Sequence, residues 1–176
     1  FDLLDVEQIQ KGINQIKSSK KPVDILVNNA GVASGSLLQM TSLEDLKNIF
    51  EINFFSQVLL TQGISRYMSR FKSGSIINIA STAGMIGDVG TTSYGSSKAA
   101  LILATKVLST ELGAKNIRVN AISPSITQTD MFNQMDEKTR NKIITASALK
   151  RPATAVEVAN VALFLASDLS SFIRGQ

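Results

Sequence analysis

The stretch Val23-Asp24-Ile25-Leu26-Val27-Asn28-Asn29-Ala30-Gly31 decides the fold. Its first five residues follow Pro22 and are mostly aliphatic, which predicts a short strand over 23–27, buried in a sheet. The Asn-Asn-Ala-Gly that follows predicts a turn. Small Ala30 and Gly31 there would let a flat ligand approach the main chain. Two similar runs recur, Ser75–Ala80 (S-I-I-N-I-A) and Ile117–Ile122 (I-R-V-N-A-I), the second ended by Ser123-Pro124. Helical patterns lie around and between them. Val6, Ile9, Ile13 and Ile16 mark a helix over 6–17. Ser42-Leu43-Glu44-Asp45 resembles a capping box, with Asp for the usual Glu or Gln, and opens a helix to about Arg70, ahead of Gly74. Further helices are predicted over 93–113, 136–148 and 155–166. Short apolar strands joined by helices longer than the ~12 residues of a parallel crossover define an α/β, doubly wound parallel sheet. Three strands are few, because open sheets of this kind have about five or six. An incomplete sheet is therefore expected, forming a single domain over 1–176.

Composition narrows the chemistry. With no Cys and no His, the chain has no disulfide, no Cys nucleophile, no Ser-His-Asp triad and no His/Cys metal site. Acid–base work near neutral pH falls to Tyr, Lys, Asp or Glu. A net charge of +4, with the basic residues scattered, does not argue for nucleic acid. No apolar run approaches the ~20 residues that cross a bilayer, so no membrane partner and a cytoplasmic location are expected. The chain begins at Phe1 without Met, and it is read as a piece of a longer one.

Four positions stand out. Tyr94 and Lys98 are spaced i, i+4 on a predicted helix, on one face and within contact. A free phenol has a pKa of about 10, and a neighbouring ammonium favours the phenolate, so Tyr94 could exchange a proton with a carbonyl or alcohol oxygen. Such a pair also arises by chance. Ser81 ends the second strand, at the carboxyl edge where open α/β sheets bind ligands. It could polarise a substrate oxygen, or simply cap the strand. Asn53 is a polar amide among Phe50, Ile52, Phe54 and Phe55, and needs hydrogen-bond partners. It is either functional or a satisfied core amide.

Together, N-N-A-G at 28–31, Asn53, Ser81, Y-G-S-S-K at 94–98 and the turn at Pro124 resemble the short-chain dehydrogenase/reductase family, in order and in spacing, with thirteen residues from Ser81 to Tyr94. The resemblance covers the whole chain and implies a Rossmann-like oxidoreductase. It implies Tyr94 as the acid/base, Lys98 as its activator and a holder of the nicotinamide ribose, Ser81 on the substrate oxygen, and Asn53 supporting a water-mediated proton relay. Cofactor contacts are implied at Asp2 and Leu3 (adenine), Asn28, Ala30, Gly31, Tyr94, Lys98, Pro124, Thr127 through its backbone and Thr129 through its hydroxyl. Within the family, V-D-I-L-V-N-N-A-G, N-I-R-V-N-A-I-S-P and V-A-L-F-L-A-S-D are similar to 3-oxoacyl-(acyl-carrier-protein) reductases, enzymes of fatty acid biosynthesis.

That likeness implies NADP(H) in preference to NAD(H), and a carbonyl or acyl thioester substrate. It also implies an acyl carrier protein steered by Lys72 and Lys115, which could equally be two solvated loop lysines. Sugar, alcohol and steroid dehydrogenases share the same general phrases. The sequence departs from the family at Pro124-Ser125, where the usual turn is Pro-Gly. The Gly-rich phosphate loop, the first strands and the last strand of the fold are not found in it, so a non-catalytic fragment or pseudoenzyme acting as an assembly module is the alternative reading. The intact Asn53, Ser81, Tyr94 and Lys98 argue against degeneracy. A homodimer or homotetramer is expected through the helices at 42–70 and 93–113, where Gly95, Ser96, Ser97, Ala99, Ala100 and Ala104 would permit close helix packing.

Overall fold

Three parallel strands form the centre of the computed structural model, which describes residues 1–176. β1 (Ile25–Asn28), β2 (Gly74–Ile79) and β3 (Ile117–Ile122) lie in that order, with Asn28 opposite Asn78 and Ile77 opposite Asn120. The first strand starts two residues later than its aliphatic run, at Ile25, although the Asp24 carbonyl already accepts from Ser75 N at 2.8 Å. Beside β3, Gly175 N donates to Val119 O at 2.8 Å and Ala121 N to Gln176 O at 2.7 Å.

Alternation along the strands sends successive side chains to opposite faces. On one face Ile76, Ile117 and Val119 meet Ile9 and Ile13 of α1 (Val6–Ser18) and Ile64 and Met68 of α3 (Ser56–Met68), all fully buried. α4 (Thr92–Gly113) lies on the same face, since Asn78 of β2 bonds Thr105. The other face carries α7 (Ala155–Ala166). There Ser75 Oγ donates to Leu165 O at 2.9 Å, and Arg118 reaches the segment after the helix, Ser170 Oγ at 2.9 Å. The doubly wound α/β arrangement read from the sequence is thus present.

The helix predicted from Ser42 to Arg70 is not one regular helix. α2 (Leu43–Phe50) passes into a π-helical turn, Glu51–Phe55, before α3 begins. Asn53 sits inside that turn and has no exposed surface. Apolar residues at 49, 50, 52, 54 and 55 continue across it, so periodicity did not reveal the extra residue per turn. Such turns concentrate at functional sites. The capping box at Ser42 forms by half. Ser42 Oγ accepts from Asp45 N at 3.0 Å, but the short Asp45 side chain takes the Ser42 hydroxyl proton and does not return to the main chain. A complete box opens α7, between Thr154 and Glu157, and Arg151 draws the Glu157 carboxyl down to about 2.

A second, two-stranded sheet was not foreseen. β4 (Thr127–Gln128) pairs with β5 (Ala153–Thr154), with α5 (Asp130–Asn133) and α6 (Glu137–Ala146) between them. Two-residue strands carry no periodic signal. Neither α5 nor α6 contributes a buried residue.

Ile76 anchors the central strand against both α1 and α3. Ile76→Ala is expected to cost about 2–5 kcal/mol, the usual range for emptying a packed aliphatic site. Urea denaturation at fixed pH checks this.

Candidate active site

α4 starts at the carboxyl edge of the sheet and carries Tyr94 and Lys98 in its first two turns. Tyr94 is half-buried, and its hydroxyl makes no hydrogen bond within the protein. Lys98 is 3% exposed. Its Nζ donates to Ile79 O, the last carbonyl of β2, at 2.8 Å, and lies 5.9 Å from the centre of the Tyr94 ring. Burial pushes the Lys98 ammonium down to about 8, because little water is left to solvate it. The carbonyl takes one of three ammonium hydrogens and leaves the others free to donate.

Ser81 follows β2 directly. Its Oγ accepts from Ala83 N at 3.1 Å, and its own proton has no acceptor within the protein. The turn Thr82–Gly84 lies flat on the start of α4 because two glycines permit it. A Cβ on Gly84 would stand 2.7 Å from Ala99 N, and one on Gly95 would stand 2.7 Å from Ala83 O. Pro124 joins the same edge, its carbonyl accepting from Thr82 N at 3.0 Å. The structure therefore gathers Ser81, Tyr94, Lys98 and Pro124.

Asn53 reaches this group from the π turn. Its amide donates to Val32 O at 2.9 Å and to Ser97 Oγ at 3.1 Å, and its oxygen accepts from Val32 N at 2.9 Å. Both amide hydrogens are spent clamping residue 32 against α4. A water held by the Asn53 side chain would therefore have to donate to Oδ1. Gln57, absent from the sequence reading, donates to Ala30 O at 2.6 Å. Ser97, expected only as a small residue for helix packing, is the bridge to Asn53. Gln57 follows Asn53 by four residues, so the spacing was visible but the target was not. Asn28 is buried and bonded to Thr61 and Asn78. Leu3 is tied to α3 by Ser56 Oγ, and Asp2 caps the Leu4 amide.

The Thr127 and Thr129 hydroxyls donate to nearby carbonyls, those of Ser125 and Thr127. Lys72 and Lys115 immediately precede β2 and β3, at the amino edge of the sheet, where Asn116 Nδ2 bonds Lys72 O at 3.1 Å. A six-residue strand spans about 20 Å, so within one chain they lie at the far end from Ser81 rather than at the mouth of the site. Gly95 and Ser97 face inward, so these two are spent on packing inside the chain and not on a partner helix.

The residues fit a nicotinamide cofactor. A Cβ on Gly31 would stand 3.2 Å from Asn53 Oδ1 and 3.3 Å from Lys98 Nζ, so bare backbone lies beside a buried cation with free donors. Asn28 Oδ1 and Gln57 Oε1, flanking the same turn, are buried acceptors without partners. Hydroxyl-rich groups such as ribose match that set.

Comparison with known proteins shows the family. The sequence model described as enoyl-(acyl carrier protein) reductase matches residues 1–176. The 3-oxoacyl-(acyl-carrier-protein) reductase of Thermotoga maritima is 37% identical over 176 residues, spanning 100% of this chain and 72% of that one. The same enzyme of Aquifex aeolicus is 39% identical, spanning 100% and 71%. The solved structure of ElxO with NADP bound superposes with a TM-score of 0.92 at 30% identity, covering 99% of this chain and 72% of that one. The chain belongs to the short-chain dehydrogenase/reductase family. It is an oxidoreductase dependent on a nicotinamide cofactor. No helix is long and apolar enough to cross a membrane.

A buried ammonium with a lowered pKa costs stability. The unfolded chain binds the proton more tightly, so the cost is full below pH 8 and fades as pH rises from about 8 towards 10.5. Lys98→Met should therefore stabilise the fold at pH 7 by up to about 3 kcal/mol, with the gain shrinking above pH 8. Urea titrations at neutral and alkaline pH measure it.

Proposed function

We propose that the protein reduces the keto group of a 3-oxoacyl thioester borne by acyl carrier protein to the secondary alcohol, using NADPH. The observation that carries the reading is the buried Lys98 ammonium beside Tyr94, anchored to the last carbonyl of the strand that Ser81 follows. Similarity to the two 3-oxoacyl reductases supports the substrate class. ElxO, solved with NADP bound, suggests NADP(H), although a xylitol dehydrogenase solved with NAD+ bound superposes equally well. Bound nicotinamide would supply the hydride that reaches the carbonyl carbon.

The chain's own residues do the rest. The Ser81 hydroxyl, free to donate, holds and polarises the carbonyl oxygen. Tyr94 gives its proton to that oxygen as negative charge develops there. Lys98 faces the phenolate that is left, and its charge stabilises it. Asn53 holds Gly31 and Val32 against α4 and supports the return of a proton from solvent. The cofactor would lie along Asp2, Leu3, Asn28, Ala30, Gly31, Pro124, Thr127 and Thr129, with Lys98 donating to its ribose. Reaction with a carbonyl from which water is displaced makes each fixed donor count for more.

Association as a homodimer or homotetramer belongs to the same proposal. Leu103 and Val107, one turn apart on α4, leave 63% and 48% of their surface exposed, and Phe55 leaves 51%. Light scattering of the purified protein should give two or four chains, and Leu103→Glu should lower that number. A monomer at micromolar concentration would refute it.

The reaction is tested by NADPH consumption with acetoacetyl and crotonyl thioesters. Turnover of the first and not the second is expected. The reverse would replace keto reduction by enoyl reduction, the activity named by the matching family. Tyr94→Phe should lower kcat on the order of 10²–10⁴-fold while leaving NADPH affinity nearly unchanged. Retained turnover would remove Tyr94 from its role. Activity should also fall above about pH 8, as Lys98 loses its charge.

A further inference from the structure

α4 carries Tyr94 and Lys98 in its N-terminal half, where apolar burial does less to hold it than in its C-terminal half. Among its buried residues only Leu101 is a large apolar side chain; the rest are Gly95, Lys98 and hydroxyl residues. In its C-terminal half Leu108 and Leu112 are half-buried against the apolar core, while Leu103 and Val107 are exposed. Around Lys98 the buried face is made of small residues, so a displacement of about 1.5 Å there changes little buried apolar area. Directional bonds are what fix the placement of that half to within an ångström.

Two neighbouring residues of β2 supply them. Ile79 O takes Lys98 Nζ, and Asn78 Nδ2 donates to Thr105 Oγ1 at 2.8 Å. Lys98 and Thr105 are two turns apart on the same face of α4. Asn78 and Thr105 are each 1% exposed. The Thr105 hydroxyl donates to Leu101 O at 2.9 Å, so its proton is committed and a lone pair is left for Asn78. Asn78 Oδ1 accepts from Asn28 Nδ2 at 2.8 Å, and Asn28 also donates to Thr61 Oγ1 at 2.8 Å. The chain Thr61–Asn28–Asn78–Thr105 thus runs through the buried face of the sheet from α3, which follows the Asn53 turn, to α4. Breaking it leaves buried polar groups unpaired.

We propose that the Asn78–Thr105 hydrogen bond is the register pin of α4, which makes Asn78 and Thr105 positioning residues for Tyr94 and Lys98. The inference rests on the carbonyl-reduction reading for its kinetic consequences and on geometry alone for its structural ones. Slippage of α4 would return the Lys98 ammonium towards water. Tyr94 is the titratable group that faces Lys98, and no carboxylate contributes to its electrostatics.

The test compares Thr105→Val, which is isosteric but lacks the hydroxyl, with Thr105→Ser, which keeps it, in the full-length protein. Thr105→Ala serves in place of the valine variant if that one does not fold, as judged by circular dichroism. Thr105→Val should lower kcat on the order of 10–10²-fold, the cost of an ångström-scale misplacement, while KM for the thioester changes little. Its alkaline activity limb should move up from about pH 8. Hydrogen exchange should quicken over residues 92–99. Thr105→Ser should restore all three. An unchanged rate, limb and exchange in the folded variant would overturn the pin, as would loss of stability alone. If the unsubstituted protein reduces no carbonyl, the function reading fails by itself, and the exchange over 92–99 decides the pin: quickened supports it, unchanged ends it.

Discussion

The buried ammonium of Lys98 is the constraint around which the rest is arranged. A cation with 3% exposure needs partners of fixed geometry, and the protein provides one carbonyl, at the end of β2. Everything near it must come close without covering its remaining hydrogens. That is why glycines occur where the chain approaches α4. Gly84 lies against the Lys98–Ala99 backbone, Gly95 against Ala83 O, and Gly31 beside Lys98 Nζ itself. The desolvation cost is met elsewhere, in the aliphatic cluster of α1, α3 and the sheet. The apolar cluster and the candidate site therefore occupy different parts of the fold.

Around the ammonium, the site is assembled by hydrogen bonds more than by apolar burial. Asn53 joins residue 32 to Ser97, and Gln57 holds Ala30. Asn28 and Asn78 link the strands to the helices on their common face. Such bonds have direction and length, so they specify distances that an apolar contact tolerates within ångströms. In contrast, α5 and α6 bury no residue. Lys142 on α6 meets Asp88 at 2.8 Å as an exposed pair. Exposed pairs contribute little, so this segment has the least holding it to the body.

The sequence by itself determined the class of fold and singled out the residues of the candidate site. β-branched runs and helical spacing are local signals, and they placed the three strands and the long helices within a few residues. The i, i+4 spacing of Tyr94 and Lys98 fixed their common face, and the order of motifs from Asn28 to Pro124 fixed the family. Only the tertiary structure decided what those residues touch. The π turn at Asn53, the use of Gly95 and Ser97 inside the chain, the bond from Asn78 to Thr105, and the placement of Lys72 and Lys115 at the far edge depend on contacts between residues distant in sequence. Those contacts follow from how helices settle on a sheet, and that is set by packing and by paired polar groups, neither of which leaves a period in the chain.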